Sequence, residues 1–79
     1  MIFDEIKQAL NVFPELTNLS VEGDGHHFQI KVVSKAFHDK SKIARQRLVY
    51  QYLNPMILSG RLHAVELTTL TPEEWDGNE

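Results

Sequence analysis

The rest of the chain is organised around Gly25-His26-His27-Phe28-Gln29-Ile30-Lys31-Val32-Val33-Ser34. Phe28, Ile30 and Val32 alternate with Gln29 and Lys31, a period of two that lays one face of a β-strand on a core. One strand cannot stand alone, so the flanking sequence has to supply sheet partners and helices over the apolar face. Just upstream, Leu16 to Glu22 sets Leu19 and Val21 in alternation with Ser20 and Glu22. Between the two runs, Gly23-Asp24-Gly25 is turn chemistry, and an Asp-Gly pair favours a two-residue hairpin connection. The quoted strand is therefore the second arm of a hairpin.

Farther out, Ile2, Ile6, Ala9, Leu10 and Phe13 recur at helical spacing and predict an amphipathic helix over the first dozen residues, ended by Pro14. Downstream, Asp39 and Ser41 can each cap a helix from Lys42 to Leu53. On that helix Ala44, Leu48 and Tyr52 form the inward row, and Lys42, Arg45, Gln46 and Gln51 face outward. Pro55 disfavours helix at Asn54, which predicts a separate short helix over Met56 to Ser59, closed by Gly60. Leu62 to Leu70 alternates again and reads as a third strand. Thr71-Pro72-Glu73-Glu74-Trp75 carries an N-cap, a first-turn proline and a glutamate at the third position, a capping box for a final helical turn. The predicted order is α-β-β-α-α-β-α, an α+β two-layer sandwich with helices on one face of the sheet. It occupies residues 1–79 as one domain, with 76–79 as a frayed tail.

Composition limits what such a domain can do. Seventy-nine residues support one core, worth roughly 3 to 5 kcal/mol net. A hydrophobic fraction of 42% with 24% charged residues is ordinary for a globular chain and argues against disorder. With no cysteine, there is neither a disulfide framework nor a thiolate of its own for zinc or iron. Acids at the N-terminus where a signal peptide would be basic, and no apolar run near about 18 residues, predict a cytoplasmic protein without a membrane partner.

Catalysis finds no foothold. The serines lie in no nucleophile elbow, and Gly23-Asp24-Gly25 is too short for a phosphate-cradling loop. Two groups of residues remain as candidates. Among four histidines, His26 and His27 sit at the hairpin mouth and His63 opens the third strand. Imidazole ligates borderline metals and can replace thiolate on an iron of a two-iron cluster. Exposed turn residues and a carbonyl-bonded strand-end histidine are the structural alternative. Whether the histidines share one end of the sheet depends on strand direction, which spacing leaves open. Five of the eight basic residues fall between Lys35 and Arg47, a candidate nucleic-acid face through Lys42, Arg45 and Arg47. The net charge of −3 and the lack of interleaved aromatics favour a merely solvated helix face. No Gly-x-x-Gly loop of the kind that clamps a nucleotide backbone in KH modules is present.

Five motifs in order, Phe28 to Ser34 with Phe37, Arg45-Gln46-Arg47-Leu48-Val49-Tyr50, Leu62-His63-Ala64 and Thr71 to Trp75, resemble the BolA-like family. They look most like its small YrbA-type bacterial branch. The resemblance covers about Leu16 to Trp75 and implies a class II KH-like fold with a three-stranded mixed sheet. It also implies a non-enzymatic partner of a monothiol glutaredoxin, sharing a [2Fe–2S] cluster held by glutaredoxin cysteine, glutathione and histidine. The family's ligand histidine in Val-His-Ala falls on His63, with Leu62 in place of valine. A second ligand comes from the loop between the first two strands, where His27 precedes the strand phenylalanine and His26 is a rival. Some members are described as DNA-binding regulators of transcription and stress response, which keeps Lys42, Arg45 and Arg47 in play. Alone, the protein is expected to be a monomer or weak homodimer. Two departures stand out: Gln46 where many relatives have histidine, and His38-Asp39 where a glycine is usual.

Overall fold

The computed structural model describes residues 2–77. Its order is α1 (Ile2–Leu10), β1 (Leu16–Gly23), β2 (His27–Ser34), a single 3-10 turn (Lys35–Phe37), α2 (Lys42–Leu58), β3 (Ala64–Leu70) and α3 (Pro72–Gly77). The predicted α-β-β-α-α-β-α succession holds. Between β2 and β3, however, the short helical element comes before the long one and not after it.

The sheet has the order β1-β2-β3. β1 runs antiparallel to β2, with Val21 opposite Ile30, and β3 runs parallel to β2, with His27 opposite Ala64 and Ile30 opposite Leu67. The sheet is mixed, as the fold class requires. The parallel pairing needs a crossover, and α2 supplies it.

Phe28, Ile30, Val32 and Leu67 point from one sheet face into a core completed by Ile6 and Leu10 of α1, Phe37 of the 3-10 turn, and Val49, Leu53 and Met56 of α2. Each such side chain, fully buried, contributes about 1.5 to 3 kcal/mol. Ring pairs lock the layers: Phe3 meets Phe28 edge-on at 5.2 Å, and Phe13 lies 5.2 Å from both Phe37 and Tyr52. Ser34 ties β2 to the α1–β1 connection and to the 3-10 turn, since its hydroxyl donates to the Pro14 carbonyl at 2.6 Å and accepts from Ala36 N–H at 3.0 Å. The short α3 brings Trp75 over Lys31, whose strand position puts it on the sheet face opposite Ile30.

Several local expectations change. α2 continues through Pro55 to Leu58. An interior proline costs about 3 kcal/mol, but Leu53 and Met56 on either side of it are both buried, while Asn54 and Pro55 face solvent. Packing on both sides of the proline outweighs the lost backbone bond. Ser41, not Asp39, caps α2, accepting from Ala44 N–H at 3.1 Å. α1 stops at Leu10, ahead of the expected Phe13. The hairpin connection is Asp24-Gly25-His26 and not a two-residue turn, because the Asp24 side chain takes over backbone donors that a tight turn would pair. Gly23 is required there: a Cβ on it would sit 2.2 Å from the His27 carbonyl oxygen. Finally, Asp76 and Gly77 complete the last turn of α3, and of the expected tail only residues 78–79 remain, outside the described residues. Among the described residues no helix is long and apolar enough to cross a membrane.

Candidate functional site

Strand direction, the quantity that spacing left open, brings the histidines to one end. β2 and β3 are parallel, so both begin at the same edge of the sheet. His27, the first residue of β2, is opposite Ala64, and His63 immediately precedes Ala64. His26 is the last residue of the connection into β2. All three side chains are exposed. A shallow cleft of about 340 Å³ opens beside them, between His27-Phe28-Gln29 and Ala64-Val65-Glu66.

Asp24 sets the shape of this end. Its Oδ1 accepts from the backbone N–H groups of His26 and His27, each at 2.9 Å. Those two donors, His27 first, hold the Asp24 carboxyl below its ordinary value of 3.8. Its other oxygen, Oδ2, lies 4.0 Å from His27 Nδ1. The loop backbone is thereby fixed while the imidazoles stay in solvent. Nothing in the alternation of β2 pointed to Asp24, but an aspartate two residues before His26 carries the Asx-turn signature. Leu58, at the end of α2 and 85% exposed, is a second feature the sequence reading passed over; it falls off the Val49, Leu53, Met56 stripe. Nearby, Arg61 pairs with Glu5 and ties the α2–β3 connection to α1.

Among the described residues, no three His, Cys, Asp or Glu side chains stand together as a metal-holding group. What this end presents is a pair of imidazole-bearing strand starts, without further ligands of its own. His38 is elsewhere, with Nε2 3.6 Å from Asp39 Oδ2.

The basic candidates separate. Lys42 and Arg47 are exposed. Arg45 does not face outward as the helical wheel had it: its side chain is only 12% exposed. Its Nε donates to the Lys40 carbonyl at 3.0 Å, Nη1 to the Thr69 carbonyl at 3.1 Å, and the two terminal nitrogens grip Glu74 at 2.7 and 3.1 Å. The guanidinium also lies over the Phe37 ring, 5.8 Å from its centroid. The reason is tertiary. α2 turns its Val49, Leu53, Met56 row inward, and Arg45 continues that row four residues earlier, so it meets β3 and α3. Glu74 in turn accepts from Thr71 N–H at 2.9 Å while Thr71 Oγ1 accepts from Glu74 N–H at 3.2 Å, the reciprocal capping box expected of this stretch. The Arg45 bond above all, then the Thr71 N–H, pulls the Glu74 carboxyl down from 4.5 to about 2.

Comparison with known proteins agrees with the fold. The BolA-like protein family matches residues 6–74. The acid stress protein IbaG of Escherichia coli strain K12 is 38% identical over 72 residues, spanning 91% of this chain and 86% of IbaG. Among solved structures, a bolA protein homologue from Coxiella burnetii superposes with a TM-score of 0.78 at 34% identity, covering 96% of each chain. The BolA domain of SufE1 from Arabidopsis thaliana gives 0.79 at 32% identity, covering 90% of this chain and 92% of that one.

Proposed function

The chain belongs to the BolA-like protein family, and from that premise we propose that it is a non-enzymatic adaptor that docks on a monothiol glutaredoxin and shares a [2Fe–2S] cluster with it through histidine. One observation carries the reading. The parallel pairing of β2 with β3 sets His27 and His63 at one end of the sheet, both exposed, one at the start of β2 and the other just before β3. The register favours His63 with His27, while His26, one residue farther into the connection, is the alternative second ligand. Two imidazoles without a thiolate fit a shared site, in which cysteine and glutathione come with the partner.

In this arrangement the protein's own residues hold and orient. Asp24 fixes the backbone of His26 and His27 through two N–H bonds, and so limits the positions the loop imidazole can take. His63 follows the buried Leu62 and precedes β3, so its backbone is anchored on both sides. A cluster bound there would supply iron whose potential is raised by imidazole in place of thiolate, which suits sensing or transfer better than storage. The reading places the protein in the cytoplasm, in iron–sulfur trafficking or stress response; the name of the Escherichia coli relative makes acid stress the first physiological condition to try. A DNA-binding role on α2 draws less support, since one of its three cations, Arg45, is already matched by Glu74.

The experiment is an anaerobic titration of the protein into a cluster-loaded monothiol glutaredoxin homodimer, followed by visible circular dichroism. A new spectrum that saturates near one equivalent is expected, lost in His63→Ala and weakened in one of His27→Ala and His26→Ala. An unchanged spectrum with the wild-type protein, or an identical one with His63→Ala, would sink the proposal.

A further inference from the structure

We propose that the free edge of β3 takes an extended acidic segment of another protein as a fourth strand. The inference is independent of the histidine reading. Among the described residues β3 is the last strand of the sheet, paired only with β2 on one side. Along a strand, the N–H and C=O of one residue point to the same side and those of its neighbours to the other. The Thr69 carbonyl is taken by Arg45 Nη1, so Thr69 faces away from β2. By alternation Leu67 and Val65 face the same way, and among the described residues no backbone bond outside the sheet reaches either of them.

Proteins usually blunt such an edge with a charge, a proline or a covering element. Here the protection is partial. Arg45 stoppers the Thr69 end, while Val65 and Leu67 keep their outward N–H and C=O groups. A peptide added to such an edge gains main-chain hydrogen bonds, and the neighbouring side chains set its specificity.

Those neighbours are cationic. A groove of about 510 Å³ runs along Leu67, Thr68, Thr69 and Leu70, with Lys40 and Lys42 on its wall. Both lysines are exposed, and the charges of the other two ionic groups there, Arg45 and Glu74, are spent on each other. Glu66, exposed on the same edge, points to the other sheet face from Val65 and Leu67, so the carboxylates of an incoming strand register opposite Val65 and Leu67, on the side of the two lysines. A second copy of this chain fits poorly. Antiparallel pairing of two β3 strands about Glu66 would place Glu66 against its own copy, a like-charge pair directly opposite. Pairing about Leu67 would need the Thr69 carbonyl that Arg45 already holds.

The test uses the full chain, 15N-labelled, and two short capped peptides, one of alternating valine and glutamate and one of alternating valine and lysine. The glutamate peptide is expected to slow amide exchange at Val65 and Leu67 by about tenfold or more and to bind about tenfold tighter than the lysine peptide. In the Lys40→Glu/Lys42→Glu variant that preference reverses. Both lysines are exposed, so this variant keeps the fold. The proposal is overturned if neither peptide protects those two amides, if both bind equally, or if the amides are protected in a concentration-dependent manner without peptide, which would make a second copy the occupant.

Discussion

The two ends of β3 use the same kinds of side chain in opposite ways. At the Leu70 end, Arg45, Glu74 and Thr71 are bonded to one another and to the Lys40 and Thr69 carbonyls. At the Ala64 end, the imidazoles of His26, His27 and His63 stand in solvent, and Asp24 holds only the backbone beneath the first two, with that of His63 carried by Leu62 and β3. Polar groups at the first end complete the fold, and those at the second are left for something outside it. Substitutions at the first end should therefore cost stability, and substitutions at the second should cost binding.

The largest effect is expected from Arg45→Ala. It removes a side chain only 12% exposed together with its bonds to two carbonyls and a carboxylate. Charge-assisted hydrogen bonds of this kind are worth about 1.5 to 3 kcal/mol, so urea unfolding should show a loss of about 2 to 3 kcal/mol. His63→Ala should stay within about 0.5 kcal/mol, as for an ordinary surface substitution. Equal losses from the two variants would erase the contrast between the ends.

Acid acts on the first end through Glu74. The Glu74 carboxyl is held at about 2 in the folded protein, chiefly by Arg45, against 4.5 ordinarily. A folded value below the unfolded one means that ionised Glu74 stabilises the fold above about pH 4.5, and that this contribution fades as pH falls toward about 2. Melting temperatures measured from pH 6 to pH 2 should therefore drop more steeply for the wild-type protein than for Glu74→Gln. Parallel curves would show that the Arg45 pair does not couple to folding. A smaller loss, about 1 kcal/mol, is expected from Thr71→Ala, which removes the N-cap of α3 but leaves Glu74 bonded to Arg45.

Much of this was legible in the sequence, but unevenly. The alternation of Phe28, Ile30 and Val32 located β2 and its buried face, and Thr71 to Glu74 announced the capping box, because both signals lie within one element. Arg45 was misread as outward for the opposite reason: its partner Glu74 lies 29 positions away, and a helical wheel drawn on Ala44, Leu48 and Tyr52 cannot contain it. Pro55 misled in the same way. Its local cost is visible in the sequence, whereas the burial of Leu53 and Met56 that offsets it belongs to the folded core. The candidate site hung on a single non-local fact. Two histidines, at the start of one strand and just before the next, share an end of the sheet only if the strands are parallel, and the crossover through α2 makes them so.

A small effect on stability, and the one most informative about the site, should come from Asp24→Ala. The carboxylate is exposed, and its two backbone bonds are confined to the hairpin connection. Global stability should change by less than about 1 kcal/mol, since loop hydrogen bonds in solvent contribute little. Locally the change is larger. The N–H groups of His26 and His27 lose their acceptor, so their amides should exchange faster while those of Ile30 and Val32, deep in the sheet, stay as slow as before. His27 then keeps its imidazole but not its fixed backbone, whereas His63 is untouched. If a loop histidine works together with His63, Asp24→Ala should weaken the glutaredoxin-dependent spectrum without abolishing it, falling between the wild-type protein and His63→Ala. A spectrum identical to wild type despite faster exchange at both amides would mean that the loop histidines contribute no ligand, leaving His63 to act alone.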